Sequence, residues 1–274
     1  MFSGLLSIPQ AVLLGIVEGI TEFLPVSSTG HLLVVGDLIG FENGSSSSAA
    51  DTYSIAIQFG AILAVLLLYR TRVWSAVRGL VGADADGRAF LIRLIVAFLP
   101  AAFVGVVAGD AMKDALFGPV PVTIAWLIGG VVLLVWKPTV GTLALHEMPI
   151  RAAVIIGCAQ SLALWPGVSR SLATLIAALA VGLSMSAAIE FSFLLGLITL
   201  SSATALDLTK HGNELVDQFG ILAPSVGLVC AFITAVIAVK WMVGYLESHS
   251  LRIFGWYRLA IGAVSVVLLA TNVL

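Results

Sequence analysis

The chain has 274 residues, 60% of them hydrophobic and only 10% charged. A soluble domain carries about 25% charged residues, so this composition excludes an ordinary water-soluble globule and places the chain in a membrane. The net charge of −2 offers no basic surface for nucleic acid and no acidic tail.

In chain order, the start MFSGLLS has no basic flank, which argues against a cleaved signal peptide. The apolar region Ile8–Ile39 is broken midway by the turn-prone run Pro25-Val-Ser-Ser-Thr-Gly30. A polar insertion, Phe41–Thr52, follows; its serines Ser45–Ser48 read as a mobile loop without a chemical signal. Spans are expected at Tyr53–Tyr69, Leu94–Gly109 and Pro119–Trp136, a crossing taking about 20 helical residues. Ala152–Leu183 is a second interrupted region, broken at Pro166-Gly-Val-Ser-Arg-Ser171. Spans at Ala187–Leu206, Phe219–Val239 and Ile253–Val273 complete the chain. The arms of both interrupted regions are short for a crossing, so each reads as a re-entrant hairpin, whose turn is tolerated only inside protein or beside a wet cavity. Cys158 and Cys230 have neither metal nor redox spacing and read as small buried hydrophobes.

The two interrupted regions are copies. Gly15–Leu32 (GIVEGITEFLPVSSTGHL) aligns without a gap on Gly157–Thr174 (GCAQSLALWPGVSRSLAT) at an offset of 142. Glu18 falls on Gln160, Ser27 on Ser169, Ser28 on Arg170 and Thr29 on Ser171. Ala56-Ile-Gln-Phe59 also matches Ala188-Ile-Glu-Phe191, at 132, the polar insertion accounting for the difference. The fold expected is all-α: one polytopic membrane domain, residues 1–274, with repeat one at about 8–136 and repeat two at about 150–273. One hairpin plus three spans per half inverts the second half, the logic of many folds with a midplane site. Ten of the thirteen basic residues obey the positive-inside rule if Arg70–Arg93, Lys137, Arg151 and Lys240–Arg258 face the cytoplasm. Both termini are then extracytoplasmic, and the hairpin tips approach from opposite leaflets.

Ionisable residues in such segments are site candidates by default. Glu18 and Glu22 share a helix face one turn apart. In a poor dielectric they cannot both ionise cheaply, so one takes a proton or a hard divalent cation, Mg²⁺ or Ca²⁺, sits between them. Ser27, Ser28 and Thr29 open a helix whose free N–H groups favour phosphate, and His31 follows. Arg170 cannot shed its proton and must face an anion: Glu18, Glu22 or a bound phosphate. Ser169, Ser171 and Thr174 are further phosphate donors at the second helix start. Gln58 and Glu190 are candidate supports, Asp37 reads as interfacial, and Arg258, near a helix end, as snorkelling. There is no P-loop and no HExxH zinc pattern. With no soluble domain to receive a nucleotide, the chemistry points to a phosphorylated lipid.

At these residues the sequence resembles the bacterial undecaprenyl-diphosphate phosphatases of the bacitracin-resistance (BacA) type, over essentially the whole chain. The strongest parts are EGITEFLPVSSTGH (Glu18–His31) and ALWPGVSRSLAT (Ala163–Thr174), supported by AIQFGAILAV from Ala56, EFSFLL from Glu190 and ATALDLTK from Ala203. The resemblance implies hydrolysis of undecaprenyl diphosphate to undecaprenyl phosphate and inorganic phosphate, which recycles the carrier of cell-wall precursors. It also implies bacitracin resistance, a divalent cation, an inner-membrane location and a site open to the periplasm. The family's acidic motif falls on Glu18 and Glu22, its hydroxyl and histidine candidates on Ser28 and His31, and its phosphate-binding arginine on Arg170. Two departures stand out: Leu172 where relatives have glycine after SRS, and Ser54 where they have an acid ahead of the IQ pair. The acid-phosphatase-like lipid phosphatases also place Ser-Arg after a Gly-His element. They need a histidine six residues beyond the arginine, where this chain has Ile176.

The nucleophile is Ser28, His31 or a water oriented by His31, with Glu18 or Glu22 as base or metal ligand. The rival reading is a flippase for the lipid phosphate, which needs two alternating openings but no nucleophile. The partners expected are a polyprenyl diphosphate and the membrane, without nucleic acid; a homodimer is left open.

Overall fold

The computed structural model describes residues 6–41, 47–136 and 140–274. The signal-peptide reading rests on the first residues and lies largely outside that range, as do Ser45 and Ser46. The described residues form eleven α-helices: α1 (Ile8–Thr21), α2 (Ser28–Leu38), α3 (Ser47–Leu68), α4 (Arg70–Leu80), α5 (Ala85–Leu116), α6 (Pro119–Val135), α7 (Ile150–Ser161), α8 (Arg170–Ala180), α9 (Met185–Phe219), α10 (Leu222–Leu246) and α11 (Arg252–Ala270). The expected loop at Ser47 and Ser48 is instead the start of α3.

Local chemistry sets several helix starts. Ser7 and Gln10 form a reciprocal capping box on α1, with Pro9 in the first turn where no amide is needed. Asp84 caps α5 by accepting from the Gly87 amide at 2.8 Å. Ser27 caps α2 and Ser169 caps α8.

Four helices are long and apolar enough to cross a membrane: Ala85–Leu116, Met185–Lys210, Leu222–Leu246 and Arg252–Ala270. The first expected span turns by 84° at Tyr69, where α4 leaves α3 and lies across its end, carrying Arg70, Arg72 and Arg78. The span expected at Pro119–Trp136 is the 17-residue α6, about 25 Å long at 1.5 Å per residue, slightly less than the hydrocarbon core. Three of the four hairpin arms, α1, α7 and α8, are shorter apolar helices, and α2 has only 11 residues, as a re-entrant design requires.

One end of the bundle holds the start of α3, the end of α5 and the outer part of α9, which together line a cavity. The opposite end holds the α3–α4 turn with its arginines, the starts of α7 and α9, and the α10–α11 connection. The α1–α2 hairpin therefore dips in from the cavity side and the α7–α8 hairpin from the other side. Contacts repeat with the halves exchanged: α1 packs along α10, α7 packs along α5, and α6 packs on α11. Close approach depends on glycine. A Cβ at Gly15 or Gly19 would strike the backbone of α10 at Gly227 or Ala231, and one at Gly157 would strike Ala97 of α5. Small residues are the usual means of bringing membrane helices together.

The main core gathers Phe23, Leu24 and Val26 of the first tip with Leu172, Leu175, Phe191, Phe193 and Leu195. Large side chains such as Phe103, Val106 and Leu222 point outward, as lipid contact allows. Cys158 is exposed and Cys230 half-buried, so neither is the core residue expected. Outside a membrane helix the solvent is lipid, and an apolar side chain gains little by turning inward.

Candidate active site

The tips meet. The Ser27 hydroxyl oxygen accepts from the Gly167 amide of the other hairpin at 3.1 Å, and Ser171 Oγ donates to the Leu24 carbonyl at 2.9 Å. Trp126 Nε1 on α6 donates to the Val26 carbonyl at 3.0 Å, and Trp165 Nε1 donates back to Pro121 of α6 at 3.1 Å. Ser27 and Ser169 both have φ of 73°, the left-handed region that non-glycine residues rarely occupy. That the same strain recurs at equivalent positions shows one turn used twice.

Arg258 joins these contacts. It donates to the carbonyls of Pro25 (3.3 Å), Gly167 (2.7 Å) and Ala125 (2.8 Å), and is 0% exposed. Snorkelling is therefore wrong for this residue: the carbonyls of the two hairpin turns, Pro25 and Gly167, and one carbonyl inside α6, Ala125, hold its guanidinium inside. Sequence reasoning missed it, although IFGWYRLAIGAV around it is as apolar as the setting of Arg170.

Glu22 sits at the centre. It accepts from the Ser28 hydroxyl, from Gln58 Nε2 at 3.4 Å and from Arg170 Nη2 at 3.1 Å. Arg170 also donates to the Ser192 carbonyl at 3.2 Å, and its guanidinium lies 5.6 Å from the Phe23 ring centre. Its Nε is buried with no hydrogen-bond partner among the described residues. Glu18, one turn before Glu22, is fully buried, and both its carboxylate oxygens are likewise unpartnered. Such groups are costly unless something arrives to satisfy them: an acceptor for Arg170, and a cation or proton for Glu18.

Beside this centre lies a cavity of about 570 Å³, whose wall includes Glu18, Ser28, Thr29 and Gln58 among apolar residues such as Leu14, Leu32 and Ile55. Thr29 is exposed on it. His31 turns away from it: Nδ1 is 2.6 Å from the Ser27 carbonyl, Nε2 is 2.9 Å from the Tyr257 hydroxyl, and the ring is packed between Tyr257 and Trp126. Because a carbonyl only accepts, the network assigns the proton to Nδ1, leaving Nε2 to accept from Tyr257. The hydroxyls of the second helix start are spent inside the protein. Ser169 accepts from the Leu172 amide at 3.3 Å, Ser171 reaches Leu24, and Thr174 bonds the Arg170 carbonyl and, at 2.5 Å, the Ser192 hydroxyl. Leu172 is thus compatible with the turn, its amide being capped; a Cβ at its counterpart Gly30 would strike Trp126. Gln58 supports Glu22 as expected of a neighbour, whereas Glu190 pairs with Arg72 at 2.6 Å, away from the centre.

No three His, Cys, Asp or Glu side chains among the described residues group as a metal cage. Two carboxylates, one with both oxygens unsatisfied, nevertheless suit a hard cation that takes its remaining ligands from phosphate oxygens and water.

Fold and site together define a polytopic α-helical membrane protein whose two re-entrant hairpins enclose a centre of acidic, basic and hydroxyl side chains. The chain belongs to the bacitracin resistance protein BacA family, whose family model matches residues 11–264. It is 44% identical over 262 residues to the undecaprenyl-diphosphatase of Sorangium cellulosum, covering 93% of this chain and 84% of that protein. It is 45% identical over 260 residues to undecaprenyl-diphosphatase 2 of Rhodospirillum rubrum, covering 93% and 92%. The undecaprenyl-diphosphatase of Nitrosomonas europaea is 44% identical, with the same coverage.

Proposed function

We propose that this protein is an undecaprenyl-diphosphatase: it hydrolyses undecaprenyl diphosphate to undecaprenyl phosphate and inorganic phosphate, recycling the carrier for cell-wall synthesis and conferring bacitracin resistance. The observation that carries this reading is Glu22 accepting from both the Ser28 hydroxyl and Arg170, with Arg170 Nε left open beside it. A serine touching a buried carboxylate is an activated nucleophile, and an arginine with a spare donor is a phosphate clamp.

In the mechanism proposed, Arg170 and the amides at the start of α2 hold the terminal phosphate. Ser28 Oγ attacks its phosphorus as the hydroxyl proton passes to Glu22. The bond from phosphorus to the bridging oxygen breaks, and undecaprenyl phosphate leaves with that oxygen and its electron pair. Water then attacks the phosphoserine, Glu22 returns its proton to Ser28 Oγ, and the water's protons leave with inorganic phosphate. Glu18 and Glu22 would hold Mg²⁺ or Ca²⁺, which when bound neutralises phosphate charge. His31, with both ring nitrogens engaged, positions the α2 start rather than attacking.

The setting proposed is the bacterial inner membrane, with both termini and the cavity mouth on the periplasmic side. The arginines between Arg70 and Arg93, together with Arg151, Lys240 and Arg252, support this, because they sit toward the end opposite the cavity. The lipid tail would leave between apolar helices into the hydrocarbon.

The test is phosphate release from undecaprenyl diphosphate by purified protein in detergent, where translocation has no meaning. Metal-dependent release, with a labelled phosphoserine at Ser28 trapped from terminally labelled substrate, is the expected result. No release in detergent, but movement of the lipid phosphate across liposomes, would replace this reading with the flippase.

A further inference from the structure

A helix at the edge of a membrane protein can face protein, hydrocarbon or water, but α4 presents a surface that none of the three satisfies alone. Its inner face is fixed. Ala76 and Gly79 are buried, a Cβ at Gly79 would strike Arg88 of α5, and one at Gly87 would strike Ser75. Arg72 adds an ion pair to Glu190 of α9 at 2.6 Å. Held this way, α4 keeps one stripe turned outward. At about 100° per residue, Arg70, Trp74 and Val81 fall along the middle of that stripe, with Val77 and Leu80 on one flank and Thr71 and Arg78 on the other. Trp74 is 64% exposed, Leu80 69% and Val81 80%. Water alone would leave these apolar groups uncovered, and hydrocarbon alone would strand the two guanidiniums.

The 84° turn from α3 sets α4 across the end of the bundle opposite the cavity, where a membrane helix meets the headgroups. There one flank dips toward the acyl chains, the other lifts its arginine toward phosphate, and the tryptophan between them sits at the level that aromatic residues favour. The outward faces of the spans, such as Val229, Ile233 and Ile237 on α10, have no such mixture and need only hydrocarbon.

Charge decides which headgroup fits. The hydrogen bonds of Arg70 and Arg78 go to the Leu67 and Ala83 carbonyls, at 3.4 and 3.3 Å. Among the described residues neither arginine has a carboxylate within salt-bridge distance. The nearby acid, Asp84, is spent on the Gly87 amide and the Ser75 hydroxyl. We infer that α4 is an interfacial helix that binds the phosphate headgroups of acidic phospholipids through Arg70 and Arg78, with Trp74 and Leu80 seated among the acyl chains. A convex stripe about 16 Å long, with cations and apolar groups side by side, suits headgroups lying in a plane.

Binding at α4 requires no catalysis and is measured without it. The experiment is titration of the full chain, in neutral detergent, with phosphatidylglycerol and with phosphatidylcholine, beside free glycerol 3-phosphate as competitor. Two arginines at an anionic surface predict that Arg70→Gln with Arg78→Gln weakens phosphatidylglycerol binding about thirtyfold. Phosphatidylcholine binding should not change, and Arg70→Lys with Arg78→Lys should keep most of the affinity. Arg151→Gln with Lys240→Gln, at the same end but outside α4, should weaken it by less than about threefold. All four positions are exposed, and unchanged melting in detergent checks that the variants fold. An equal loss in the Arg151 and Lys240 variant would overturn the inference, by showing diffuse attraction rather than a site on α4. Displacement by glycerol 3-phosphate would also overturn it, in favour of a soluble anion. Unchanged lipid binding in the Arg70 and Arg78 variant would overturn it too, and leave the stripe to a protein partner.

Discussion

The two hairpins share a backbone and divide the chemistry. Ser27 and Ser169 take the same left-handed φ, cap their helices in the same way, and follow first arms that pack by glycine on α10 and α5. Yet Glu18 faces Gln160 across the alignment, Glu22 faces Leu164, and Ser28 faces Arg170. The equivalent residues Ser28 and Arg170 both bond to Glu22, one from its own hairpin and one from the other. Neither tip is electrically complete alone. A duplicated scaffold let one copy keep the acid and hydroxyl while the other supplied the cation, so the site exists only where the copies meet.

The largest effect should come from comparing the caps with the group beside them. Ser28→Ala removes the proposed nucleophile and should lower phosphate release by about 10⁴-fold or more, with the fold intact. Ser169→Ala removes a cap and should cost about 1 kcal/mol of stability while activity stays within a few-fold. Phosphate release and melting of both variants check the contrast; equal losses of activity would erase the proposed division of labour.

Next comes the charge pair. Arg170→Met should lower kcat by about 10²–10³-fold, the loss of a preorganised donor. It also strands Glu22 and should cost about 3–5 kcal/mol. The double variant Glu22→Gln with Arg170→Met should regain most of the thermal stability and none of the activity. If stability is not regained, the pair is not the electrostatic link between the tips.

A smaller test concerns the glycine seams. Gly15→Leu and Gly157→Leu should each destabilise by about 1–3 kcal/mol, as overpacked contacts do, when unfolding in detergent is followed. Tolerance of one but not the other would show that the two copies pack differently after all.

The smallest effect separates the helices that support the hairpins. α5 has a charged cap in Asp84, whereas α10 has Ile221 at its N-cap and no side-chain cap. Hydrogen bonds from the Gly87 amide and Ser75 Oγ hold the Asp84 carboxyl below the usual carboxylate range. A depressed value means that this contribution is present above the unfolded-state value and fades as pH falls through the folded one. Amide exchange at the start of α5 should therefore quicken in acid, modestly because the group is exposed. Asp84→Asn should flatten that response, and the start of α10 should show none.

Much of this was legible from residues alone. Two broken apolar regions, their offset of 142 and the placement of Glu18, Glu22, Ser28 and Arg170 follow from local composition. So does the expectation that Arg170 must find an anion, because burying an unpaired guanidinium is too costly to leave unanswered. The apolar run ends at Tyr69, before Arg70 and Arg72, but the 84° turn there was not legible, since no proline or glycine marks a change of direction. Nor were the fates of the second-tip hydroxyls, whose partners lie on other elements.

Sequence by itself determined which segments enter the membrane, where their helices break, and which charges cannot be left alone there. Tertiary structure decided which partner each of those groups received. Arg170 meets Glu22 across 148 positions, Arg258 closes on Pro25 across 233, and His31 turns to Tyr257 across 226. Helix formation and capping are settled within a few residues, whereas the choice among partners depends on how rigid helices pack, which no local pattern records.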